Sequence, residues 1–116
     1  MTTSTLAFGY PRRGLSGEFA TFRLGAKAAE NNPVNTVVEL VDSRSKKLLA
    51  RATVTAVHTG TLNDVALLHA GAAHNWKEHS QAERPALLVA SIKKRFPPGR
   101  VRDDSICTVI YLKEIL

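Results

Sequence analysis

The stretch 36-TVVELVDSRSKKLLARATVTAVH-58 decides how the chain folds. Thr36–Val41 is β-branched and apolar apart from Glu39, the composition of a half-buried strand. Leu48–His58 alternates. Ala50, Ala52, Val54 and Ala56 share one face of an extended chain, and Arg51, Thr53, Thr55 and Val57 share the other. Between the two runs, 42-DSRSKK-47 supplies the Asp, Ser and charged residues of a hairpin turn. The pattern predicts antiparallel pairing of Thr36–Val41 with Leu48–Val57 across that turn.

Three more segments read as strands: Ser4–Phe8, Phe19–Leu24 and Ser105–Leu112. In Phe19–Leu24 one face carries Ala20, Phe22 and Leu24, and the other runs Phe19, Thr21, Arg23. That second face is either the exposed side of an ordinary strand or the floor of a site for something anionic or planar. Helical signals follow the hairpin. Thr61 is a good N-cap with Asp64 three residues on, before 65-VALLHAGAA-73. A second helix starts near Glu83 with Pro85 in its first turn, and Leu88, Val89, Ile92 and Phe96 form its stripe until 97-PPG-99 stops it. Another helical turn covers Ala26–Asn31. Strands, two helices and a last strand predict an α+β fold on a mixed or barrel-like sheet, with the 82–96 helix over one barrel end. The expected core holds Val54, Ala56, Leu88, Val89 and Ile92. To these it adds either Ile106 and Ile110 or Val109 and Tyr111, depending on which face of the last strand is buried.

At 116 residues, 1–116 reads as a single domain. No window approaches 18 uncharged apolar residues, and MTTSTLAFGYPRR lacks the basic-then-apolar order of a secretion signal, so no membrane partner is expected. The single cysteine, Cys107, sits inside 106-ICTVIYL-112 as a small core residue, which excludes an internal disulfide and points to the reducing cytoplasm. Sixteen Lys and Arg against ten Asp and Glu leave a net charge of +6, a field that favours phosphate-bearing partners. His69, His74 and His79 recur every five residues, which spreads them around a helix axis, so neither a metal nor a cofactor is expected.

The order of several local patterns resembles the ASCH domain, a small β-barrel related to the PUA fold of RNA-binding and RNA-modifying proteins. The matching parts are "TFR" after Gly17, then "NTVVELVD", "ARATVTAVHTGTLNDV", "LHAGAAHNW" and the last strand, over about residues 4–114. The resemblance implies a PUA/ASCH-like barrel of about five strands with two or three helices. It also implies a cleft at whose mouth the glycine-led strand lies. Small members that hydrolyse an acetylated cytidine use a lysine, a threonine and a glutamate. Thr21 falls on the threonine, Glu18 on the lysine position, and His74 on or beside the glutamate, followed by Asn75; Arg23 matches the strand arginine. One of the three catalytic positions is therefore kept, and a threonine nucleophile needs a neighbouring base.

On this reading the cleft binds RNA or a nucleoside-sized ligand against Thr21 and Arg23, with His74, Asn75 and Trp76 on the opposite lip. A guanidinium forks onto phosphate or stacks on a base, and an exposed indole beside polar groups suits base stacking. Lys93, Lys94, Arg95, Arg100 and Arg102, extended by Arg12 and Arg13, would hold phosphates. Two other readings stay open. One is a hydrolase in the same cleft, an amidohydrolase on a modified nucleoside with Thr21, Glu18 and His74 as its catalytic residues, or a ribonuclease using His74 with Arg23. The other is a protein-interaction module of a mobile element.

Overall fold

The structure is a computed structural model that describes residues 4–8, 17–69, 83–94, 96 and 99–115. Strands β1 (Ser4–Phe8), β2 (Glu18–Leu24), β3 (Val37–Asp42), β4 (Leu48–Thr61) and β5 (Ile106–Glu114) form one sheet in the order β1-β3-β4-β5-β2. The helices are α1 (Lys27–Asn31), α2 (Leu62–His69) and α3 (Arg84–Lys94). The fold is therefore α+β, a curled mixed sheet in the form of a half-barrel with three helices.

The expected hairpin is present: Val38 pairs with Ala52 and Leu40 with Ala50 in an antiparallel ladder. Its turn is built by Asp42. One carboxylate oxygen accepts the backbone N–H groups of Arg44 at 2.8 Å and Ser45 at 3.2 Å, and Lys46 closes the turn at φ 63°. Only β1 breaks the antiparallel rule, running parallel to β3 with Leu6 beside Leu40.

Two cores divide the molecule. Leu6, Phe8, Phe19, Val38, Leu40, Ala52, Val54, Ile110 and Leu112 form one cluster, to which all five strands contribute and neither α2 nor α3 does. Side chains from both ends of one sheet meet this way only because the sheet curls, so this is the inner face. On the outer face Ala20 and Phe22 of β2 and Cys107 and Val109 of β5 pack against Leu62, Val65 and Ala66 of α2 and Leu88 and Ile92 of α3. The last helix thus lies beside α2 over the outer face of the sheet, not across a barrel end. The question of which face of the last strand is buried has a double answer, because β5 lies between the two cores. Ile110 faces the inner core, Val109 the outer one, and both are fully buried; Ile106 is exposed and Tyr111 half-buried.

The alternation along β4 is interrupted. Val54 pairs with Leu112 but Ala56 pairs with Tyr111, which leaves Thr55 as the extra residue of a β-bulge. Beyond the bulge the faces exchange. Val57 packs against the inner core and pairs with Ile110, and Ala56, expected inside, turns outward and is half-buried.

Thr61 caps α2 as its spacing predicts, its hydroxyl accepting the Asp64 N–H at 3.2 Å. The first N–H groups of α2 are donated to the segment before β5, Leu62 to the Ser105 carbonyl and Asn63 to that of Asp103. No helix among the described residues is long and apolar enough to cross a membrane.

Candidate functional site

The ends of the sheet order are β1 and β2, and they are not hydrogen-bonded to each other. Between them lies a cleft of about 660 Å³, walled by β1 from Thr5 to Ala7, by Arg23 of β2, and by Lys27, Asn31 and Asn32 of α1 and its end. Arg23 sits on the inner side of β2 with Phe19 and Thr21. Its guanidinium carbon lies 4.8 Å from the centre of the Phe8 ring, so the cation is stacked on an aromatic face and bridges the seam. Among the described residues the cleft lining carries two cations, Arg23 and Lys27, and no carboxylate. At its inner end Asn32 is 2 % exposed. Its Nδ2 donates to the Ala28 carbonyl at 2.8 Å, while its Oδ1 is buried without a hydrogen-bond partner. Such an acceptor costs about 1–3 kcal/mol until something donates to it.

The other anticipated residues are distributed as follows. Thr21 is 3 % exposed, on the face that forms the inner core, so attack by its hydroxyl would require that core to open. Glu18 is exposed at the start of β2, where it pairs in register with Lys113. Lys93, Lys94, Arg100 and Arg102 are all exposed. Two of them face acids: Lys93 bonds the Asp103 carboxylate, and the Arg102 Nε lies 3.9 Å from Asp104. Arg12, Arg13, His74, Asn75, Trp76 and Arg95 lie outside the described residues. Arg23 projects from the inner side of the sheet, whereas α2, after which residues 74–76 follow in the chain, covers the outer side. Cys107 behaves as a core residue, burial pushing its thiol up to about 11, far from thiolate chemistry at neutral pH.

One group of side chains escaped the sequence reading. His58 of β4, His69 at the end of α2 and Tyr111 of β5 meet on the outer face. The two imidazoles stack with ring centres 4.8 Å apart and planes 13° from parallel. His69 Nδ1 is 2.7 Å from the Tyr111 hydroxyl, and the phenol stands edge-on to both rings. The signal for it was hidden: strict alternation puts residue 58 on the inner face with Val54, and only the bulge at Thr55 turns it outward.

Partial burial, and then the neighbouring His58, hold the His69 imidazole below its ordinary 6.5. The unfolded chain therefore takes up a proton before the folded one does, so this group's contribution to stability is present above about 6.5 and is lost as the pH falls below it. Denaturant unfolding midpoints measured from mildly alkaline to mildly acidic pH should fall more steeply for the native chain than for His69→Gln. Equal slopes would show that His69 is not held in its neutral form.

No family model matches the chain, and no curated protein matches it. The fold matches the crystal structure of protein EF3133 from Enterococcus faecalis, of family model DUF984, with a TM-score of 0.60 over 85 % of this chain at 15 % identity. The chain spans 61 % of the length of that structure. At that identity the likeness speaks for a shared small-domain fold and for nothing finer.

Proposed function

We propose that the seam cleft binds RNA or a nucleoside-sized anionic ligand, in the manner of the ASCH-like domains whose motif order this chain resembles. The observation that carries this reading is Arg23, a guanidinium seated on the Phe8 ring in a cleft whose described lining has Lys27 as a second cation and no acid. Stacking restricts the guanidinium to one plane, so less ordering remains to be done when it forks onto a phosphate or carboxylate. A donor on the ligand would also satisfy the buried Asn32 Oδ1. The overall charge of +6 draws anions toward the cleft. Binding is favoured over hydrolysis because Thr21, the retained catalytic position of the resemblance, is buried in the strand face that forms the core.

His74, Asn75 and Trp76 are proposed as the second lip. Lys94, Arg100, Arg12, Arg13 and Arg95 would add salt-dependent attraction to phosphates, with Lys93 and Arg102 partly spent on Asp103 and Asp104.

Calorimetric titration with nucleoside monophosphates and short single-stranded RNA tests the reading. Hydrogen bonds to a charged partner are worth about 1.5–3 kcal/mol, so Arg23→Ala should weaken binding roughly ten- to a hundredfold. Arg23→Lys should recover little of it, because an ammonium neither forks nor stacks as a guanidinium does. Unchanged affinity in Arg23→Ala removes the cleft from consideration.

A further inference from the structure

We propose that the His58 ring is a stacking platform for an unpaired base of single-stranded RNA, a second binding site on the outer face of the sheet. It rests on its own observations and not on the seam cleft, which opens between β1 and β2 on the inner side.

The first observation is how His58 comes to face outward. The extra residue Thr55 shifts the phase of β4, and bulges commonly re-aim a side chain in this way next to functional sites. The second is the support behind the ring. His58 is exposed, while the rings it rests on are half-buried and fixed to other elements: His69, stacked at 4.8 Å, ends α2 and is held at 2.7 Å by Tyr111 of β5. Two stacked imidazoles and an edge-on phenol form the end of an aromatic column that one more flat ring can extend. The third is what lies further along the same face. Lys113 is exposed opposite Thr53, on the same face of β5 as Tyr111 but four residues along the strand from Val109, the register partner of His58, so it lies about 13 Å from the platform by strand geometry. A single strand stacked on His58 by one base and running along β5 would carry a later phosphate toward that ammonium. Arg51, further along β4, is shared with Glu39 at 3.3 Å and contributes less. An aromatic platform with a cation further along the strand's path is the arrangement by which single strands are held without sequence preference.

A metal site does not fit the pair. Imidazole lone pairs lie in the ring planes, and planes only 13° from parallel do not converge on one ion.

The test is an NMR titration of the full chain, followed at the imidazole carbon-bound protons, first with adenosine, which is neutral, and then with a short oligoadenylate RNA at two salt concentrations. Upfield ring-current shifts at His58 are expected with both probes. His58→Ala should weaken oligoadenylate binding roughly tenfold, and His58→Phe should restore it. Lys113→Ala should lower the salt dependence and leave the adenosine response intact. Arg23→Ala should leave the His58 shifts unchanged even where it abolishes binding in the seam cleft, so failure at one site is not mistaken for failure at the other. The proposal is overturned if His58 shifts with neither probe, if His58→Ala binds oligoadenylate as the native chain does, or if Arg23→Ala removes the His58 response.

Discussion

Replacing Phe19 with alanine is expected to lower the free energy of unfolding by about 3–5 kcal/mol, the usual cost of deleting a buried aromatic ring. Phe19 is 2 % exposed and lies in the inner core among side chains from the other four strands. The cavity left behind has little chance to collapse. β2 is hydrogen-bonded to β5 along Glu18–Leu24, and its opposite face is pinned by Ala20 and Phe22 against the helices. Small domains are stable by only about 5–15 kcal/mol, so this one change removes a large share of the total. Denaturant unfolding followed by circular dichroism should show it. The control is Leu24→Ala on the same strand, where the side chain is 37 % exposed and the change should stay within about half a kcal/mol. A loss at Phe19 no larger than at Leu24 would show that the strands do not converge on a common interior.

Ile92→Ala is expected to cost about 2–5 kcal/mol by the same route on the other side of the sheet. Ile92 and Leu88, one turn apart, are the buried residues through which α3 joins the outer core, at 6 % and 5 % exposure. Val89 is only half-buried beside them, so Val89→Ala should cost distinctly less. If both substitutions cost under about half a kcal/mol, the helix presents a different face to the sheet.

Much of this architecture is legible in the sequence because local rules and tertiary packing agree. Asp42 both begins the turn and supplies the carboxylate that builds it, and Thr61 caps the helix that its spacing with Asp64 announces. The misreadings have a common origin in the assumption that a strand has one wet face. β2 and β5 are packed on both, so Ile110 and Val109 are rivals on paper and neighbours of different cores in space. The bulge is invisible for a related reason. Thr55 and Ala56 are small and nearly neutral in hydropathy, so nothing in the alternation marks where one of them stops counting. The parallel pairing of β1 with β3 leaves no local trace either, since no turn joins the two. For the candidate cleft, the face Phe19-Thr21-Arg23 was readable as a possible floor. Its other walls, Lys27, Asn31 and Asn32, are brought there by a helix of five residues that carries no motif.

The place of β5 in the sheet sets the order in which this chain can fold. It is the last strand to be made, yet it sits between β4 and β2 and feeds both cores. Until residues 106–114 leave the ribosome, β2 has no strand to pair with, and both cores lack the β5 side chains, Cys107 and Val109 on one face and Ile110 and Leu112 on the other. The hairpin β3–β4 can form early and β1 can add to β3; β2 must wait for β5 and then closes a loop from Glu18 to Lys113. Such distant closures make folding slow and leave strand edges open meanwhile. A nascent chain arrested before β5 would therefore be a substrate for chaperones, and synthesis past residue 114 would appear as a late gain of protease resistance.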